Sequence, residues 1–197
     1  EGYGLTEASP VVTASFGLPW RPGSVGTALD GIELRLVDVD GEDALVGDPG
    51  EIWVRGPNVF QGYWNDEAAT RAALDPDGWL HTGDVALVDD EGMIYLVDRV
   101  KDLIIVSGFN VFPAEVEEII LEVSGVVECA VVGVPHPHTG EAVKAFVVVE
   151  PGTAFDEDLI IEHCASHLAR YKCPQKVNFV ESLPQNVSGK VLRRVLR

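Results

Sequence analysis

Basic residues are scarce: 14 Lys and Arg stand against 32 Asp and Glu, for a net charge of −18. Phosphate backbones are held by lysine and arginine, so this balance argues against a nucleic-acid binder. Cysteine is scarcer still. Cys129, Cys164 and Cys173 are an odd number without a CxxC pair or a nucleophile signature. They read as small buried apolar residues, and a reducing cytoplasm is the simplest expected home. No apolar run reaches the length of a membrane span or a signal sequence. What is there is a globular composition, 46% apolar and 23% charged over 197 residues, with room for one or two domains.

The charge is unevenly spread. Residues 1–98 carry 4 Lys and Arg against 19 Asp and Glu, whereas residues 99–197 carry 10 against 13. Within 170–197, seven basic residues face the single acid Glu181. That tail is expected to present positive potential to an anionic ligand.

The stretch 94–118 looks like a joint between two bodies. Apolar residues ending at Val97 meet Asp98, Arg99, Lys101 and Asp102, and a second apolar run, Leu103 to Val106, follows. Ser107-Gly108 then allows a sharp turn or the close passage of a ligand. Pro113 opens a helix in which Val116, Ile119, Ile120 and Val123 recur at helical spacing. The reading is therefore two domains, 1–98 and 99–197, with a hinge at about 98–102.

In the first domain, residues 1–21 read as a loop with little periodicity. Apolar alternation at Ile32–Leu36 and Ile52–Val54 predicts strands of a small antiparallel sheet or barrel. Asn65 is the predicted cap of a helix that Pro76-Asp77-Gly78 ends, and a hairpin turns at Asp89–Gly92. His81 is expected beside Trp79. Beyond the hinge the pattern predicts a helix at 114–123, strands at 126–134 and 142–150, a helix at 156–169 and a short strand near 177–181. His136 and His138 lack a third ligand nearby and read as part of a Pro-bearing turn.

Several residue groups suit a nucleotide. Tyr3 offers a stacking face, Thr6 a donor to phosphate and Glu7 a hard oxygen for Mg²⁺. Asp84, at the end of a strand, can accept both hydroxyls of a ribose. Lys190 follows the flexible Ser188-Gly189 step, and its compact charge can meet a carboxylate and a phosphate oxygen together.

Five blocks, YGLTE at 3–7, WLHTGD at 79–84, DRVKD at 98–102, SGFNVFPAEVE from 107 and PQNVSGK at 184–190, occur in the order of the core motifs of the adenylate-forming superfamily. The chain resembles that family over essentially its whole length. The resemblance implies an α+β fold: the end of a large N-terminal domain, an antiparallel sheet or distorted barrel, followed by a small mobile α+β C-terminal domain. The glycine- and Ser/Thr-rich phosphate loop expected upstream is absent, so the expectation is a C-terminal fragment, inactive by itself. In the family, ATP and a carboxylic acid form an acyl-adenylate, and the acyl group passes to a thiol. The resemblance implies catalytic roles for Lys190, Glu7 and Thr6, with Mg²⁺ at Glu7. It implies nucleotide contacts from Tyr3, Thr6, Asp84 and Arg99, and a passage for the arm of CoA at Gly108. Lys101 would be the hinge about which the second domain rotates between steps. The SGFNVFPAEVE block is similar to that of acyl- and aryl-CoA ligases, although luciferases share it, so a fatty acid and CoA are the expected substrates. Rival readings are an acyl-AMP ligase that delivers to a carrier protein and a non-catalytic interaction module. The context of Lys190 also resembles sites acted on by lysine acetyltransferases. His136 stands where the family often carries an acid.

Overall fold

The computed structural model describes residues 1–152 and 156–197. The chain divides into two compact units, Glu1–Val100 and Lys101–Arg197, each mixed in secondary structure.

In the first unit, β1 (Gly2–Gly4), β2 (Val11–Ala14) and β3 (Thr27–Ala28) form one antiparallel sheet. The first two occupy the segment expected to be a loop; three-to-four-residue strands are too short to show alternation. A second antiparallel sheet runs in the order β4 (Glu33–Val37), β5 (Gly50–Arg55), β6 (Leu80–Val88), β7 (Ile94–Arg99). Along β5 alternate residues are buried, as a half-covered strand requires. Its inward Ile52 and Val54 join Val12, Leu36, Leu80 and Ile94 in one core. On the outer side His81 stacks on Trp53, centroids 3.8 Å apart, and not on Trp79. His81 and Trp53 are direct partners across β6 and β5, and side chains of such a pair meet on one face of the sheet.

Helix α1 (Glu67–Ala73) is capped by Asp66, whose side chain accepts from the Ala69 N–H, one residue later than expected. Asn65 lies in the left-handed region at φ 51° and makes the turn before the cap.

In the second unit, β8 (Ile104–Val106) and β9 (Phe109–Val111) form a hairpin, the latter a strand not foreseen. The five-stranded sheet adds β10 (Val126–His136), β11 (Gly140–Val149) and β12 (Lys176–Phe179), the last parallel to β11. Helices α2 (Pro113–Leu121) and α3 (Glu157–His167) cover one face, where Val131, Val143, Ala145 and Val147 meet Val116, Ile120, Ile160 and Cys164. The other face is covered by the C-terminal segment: Ala130, Val132 and Phe146 pack with Leu183, Val191 and Leu196. Burial of both faces explains why β10 and β11 read as nearly unbroken apolar runs. Among the described residues, no helix is long and apolar enough to cross a membrane.

Candidate functional site

Asp84 is placed by a bulge. Between β5 and β6 the register passes from Glu51↔Val85 to Trp53↔His81, so residues 82–84 loop out opposite Ile52. Gly83 sits there at φ 72°, a conformation side chains rarely adopt. The loop is pinned from β5: the Gly83 N–H donates to Glu51 Oε1 at 2.9 Å, and the Thr82 hydroxyl donates to the Ile52 carbonyl at 2.8 Å. Glu51 Oε2 also accepts from the Trp53 indole. Nothing in the sequence flagged Glu51, because its role arises from a cross-strand neighbour 32 positions away.

The bulge delivers Asp84 to two of the residues read as its companions. The Tyr3 hydroxyl donates to Asp84 Oδ2 at 2.7 Å, and Arg99 Nε lies 2.8 Å from Oδ1. Asp84 is 9% exposed, and each oxygen, with one partner, keeps a further lone pair for a ligand hydroxyl. Burial, first of all, raises the Tyr3 phenol above its ordinary value, so it stays protonated and donates. Tyr3 itself is positioned from β2, where Thr13 Oγ1 accepts its N–H and donates to the Val25 carbonyl. Its ring belongs to the core; what Tyr3 visibly supplies is the hydroxyl on Asp84, rather than an open stacking face.

Thr6 and Glu7 lie on a single 3₁₀ turn, Thr6–Ala8, ended by Ser9 at φ 53°. The loop after β5 clamps this turn: the Phe60 N–H donates to the Glu7 carbonyl, and the Asn58 amide donates to the Ala8 and Val11 carbonyls. The Tyr63 hydroxyl donates to Glu7 Oε1 at 2.9 Å. Burial and then the Glu7 carboxylate push the Tyr63 phenol upward. Glu7 retains Oε2 and a free lone pair, a hard oxygen set that fits Mg²⁺ bound through one carboxylate, waters and phosphate. Thr6 is exposed beside it.

In the second unit, Ser107 and Gly108 form the two-residue loop of the β8–β9 hairpin, both left-handed at φ 52° and 85°. A Cβ on Gly108 would meet nothing within 4 Å, but its φ of 85° is a conformation that side chains rarely adopt. Lys190 is exposed on a loop organised by Asn186, whose Oδ1 accepts from the Ser188 N–H, the Ser188 hydroxyl and the Lys190 N–H. Lys101 lies in the 3₁₀ turn Val100–Asp102. Its carbonyl accepts from Arg197, and Asp102 stands 3.6 Å from Arg197 and 3.8 Å from Arg193. Much of the basic tail is therefore engaged within its own unit: Arg193 also grips Glu117, and Lys172 grips Glu115. The structure thus joins Tyr3, Asp84 and Arg99 in one cluster, sets Thr6 and Glu7 on one turn, and holds Lys101, Gly108 and Lys190 on separate loops of the second unit.

Comparison with known proteins decides the family. The model for "AMP-binding enzyme" matches residues 1–64, and that for "AMP-binding enzyme C-terminal domain" matches residues 115–190. The chain belongs to the AMP-binding enzymes, the adenylate-forming family. Among relatives of this AMP-binding chain, the long-chain-fatty-acid-CoA ligase of Yersinia pestis is 49% identical over 100% of this chain and 35% of its own length. That of Salmonella typhimurium is 47% identical over the same shares. The chain thus spans about a third of the length of these curated relatives. Of solved structures, ATP-bound MatB from Rhodopseudomonas palustris superposes with TM-score 0.92 at 43% identity, covering 100% of this chain and 39% of MatB.

Proposed function

We propose that this chain is the C-terminal part of an ATP-dependent acyl-CoA synthetase acting on a fatty acid in the cytoplasm. The observation that supports this most is its identity of 49% over its full length to a long-chain-fatty-acid-CoA ligase. In the first step a carboxylate oxygen attacks the α-phosphorus of ATP and pyrophosphate leaves. Two anions must meet, so the barrier is largely electrostatic and orientational. Asp84, fixed by Tyr3 and Arg99, holds the ribose diol, and Thr6 donates to phosphate. Glu7 would hold Mg²⁺, which would screen phosphate charge. Lys190 supplies the cation that meets both reacting oxygens. In the second step the thiol of CoA attacks the acyl carbonyl and AMP leaves. Lys190 has no task there, and the Gly108 turn serves as the passage for the thiol arm. Lys101 is the pivot that exchanges the two. The exposure of Lys190 also suits it to acetylation, which would cancel its charge.

The test is incubation of the full-length ligase with ATP, Mg²⁺, CoA and fatty and aromatic acids of graded size, with products identified by mass spectrometry. Acyl-CoA from long-chain acids is the expected outcome. Acyl-AMP without acyl-CoA, or no product from any acid, overturns the reading.

A further inference from the structure

Helices α2 and α3 end side by side, and three metal-ligating side chains gather there. Glu122 is the C-terminal cap residue of α2, and His163 and His167 lie four apart, one turn of α3. One ligand atom from each of the three lies within 4.8 Å of the others. Three details make this more than a chance meeting. First, His163 Nε2 is buried with no hydrogen-bond partner and stands 3.4 Å from Glu122 Oε2. Two atoms bound at about 2.1 Å to one tetrahedral Zn²⁺ are themselves about 3.4 Å apart, so this pair already has the required spacing. Second, His167 Nδ1 lies 2.9 Å from the His163 carbonyl. The Ser166 hydroxyl, which donates to the same carbonyl, also lies 2.9 Å from Nδ1; with its proton on Nδ1 the ring donates to the carbonyl and presents the Nε2 lone pair, the arrangement in which a metal-bound histidine donates its other ring N–H to a backbone carbonyl. Third, the C-terminal ends of both helices converge, and their negative dipole ends favour a cation.

We propose that Glu122, His163 and His167 form a binding site for a divalent cation of the Zn²⁺ class, pinning the end of α2 to the end of α3. Two imidazoles and a carboxylate are a borderline nitrogen-rich set that selects Zn²⁺ over Mg²⁺ or Ca²⁺. Water completes the fourth position. This site is separate from the carboxylate of Glu7 and does not depend on the reaction proposed above.

Calorimetric titration of the 197-residue chain with Zn²⁺ alone, in parallel with thermal melts, tests the proposal. One equivalent should bind and raise the melting temperature. His163→Gln and His167→Gln should each weaken binding about tenfold or more and abolish that rise, while their melts without metal stay close to the parent. Glu122→Gln should weaken binding less, and the double variant His136→Gln/His138→Gln should bind normally. Absence of saturable binding overturns the site. So does binding that survives both His163→Gln and His167→Gln, or that disappears only in the His136/His138 variant.

Discussion

The role proposed for Lys190 asks that the backbone beneath its ammonium be held, and Asn186 contributes most of that hold: its N–H donates to the Lys190 carbonyl at 2.9 Å and its carbonyl accepts from the Gly189 N–H. Asn186 Oδ1 takes three hydrogen bonds across residues 186–190, including the Lys190 N–H. On the proposed function, Lys190→Ala in the full-length protein should lower acyl-adenylate formation by at least about 10²–10³, the loss seen when one preorganised charge-stabilising donor is removed. Thioester formation from supplied acyl-adenylate should be nearly unaffected. Asn186→Ala leaves the ammonium present but its loop loose, and the loss of one hydrogen bond's worth of positioning, about 1 kcal/mol, should slow adenylation about fivefold to tenfold. Burst measurements of pyrophosphate release separate the half-reactions. If Lys190→Ala adenylates at the parent rate, the assigned role is wrong; if Asn186→Ala is as inactive as Lys190→Ala, Asn186 is doing more than positioning.

Within α3 the pH dependence of stability has a definite sign. Cys164 is fully buried between that helix and the sheet, and desolvation pushes its thiol from 9.0 up to about 11. Cys129, beneath α2, is pushed to about 12 by desolvation and then by the Glu117 carboxylate. The folded chain therefore keeps these protons where the unfolded chain releases them. Their contribution is intact below about pH 9 and is lost as pH rises from there towards 11. Urea denaturation at intervals from pH 8 to 10.5 should show stability falling above pH 9, and Cys164→Ala, with no proton to lose, should reduce that slope despite starting lower. Parallel curves for the two proteins would contradict the argument. These same elements mark what could be read from the chain alone. Long periodic segments were legible: α2, α3, β10 and β11 carry their burial in their apolar spacing. Strands β1, β2 and β9 were not, because three or four residues do not establish a period. The residues missed at the site, Glu51, Tyr63 and Asn58, act on partners 32 to 56 positions away or pin backbone carbonyls. That relation exists only after folding. Asp84 and Arg99 were legible as a pair and Tyr3 as a neighbour of Thr6 and Glu7, whereas the hydroxyl contact that joins Tyr3 to Asp84 needed the core to be seen.

At the scale of the whole molecule, the proposed function asks two reactions with different geometries to share one set of residues, and the proposed pivot lies where the two compact units Glu1–Val100 and Lys101–Arg197 meet in sequence. Asp102 is tied to Arg193 and Arg197, and the Lys101 carbonyl accepts from Arg197. Everything from that carbonyl onward is thus anchored in Lys101–Arg197, and any reorientation has to be absorbed by the backbone dihedrals at Val100 and Lys101. Proline at 101 would fix its own φ near −65° and push Val100 out of the helical region, removing both freedoms while touching no group assigned to chemistry. On the proposed function, Lys101→Pro in the full-length protein should therefore slow the thiol step by tenfold or more and leave acyl-adenylate formation within about twofold. Lys101→Ala, which keeps the backbone free, should retain both steps. Single-turnover assays of each half-reaction decide the matter: equal losses in both steps for Lys101→Pro, or a selective loss in Lys101→Ala of the same size, would move the pivot away from this residue and return Lys101 to the role of an exposed surface cation.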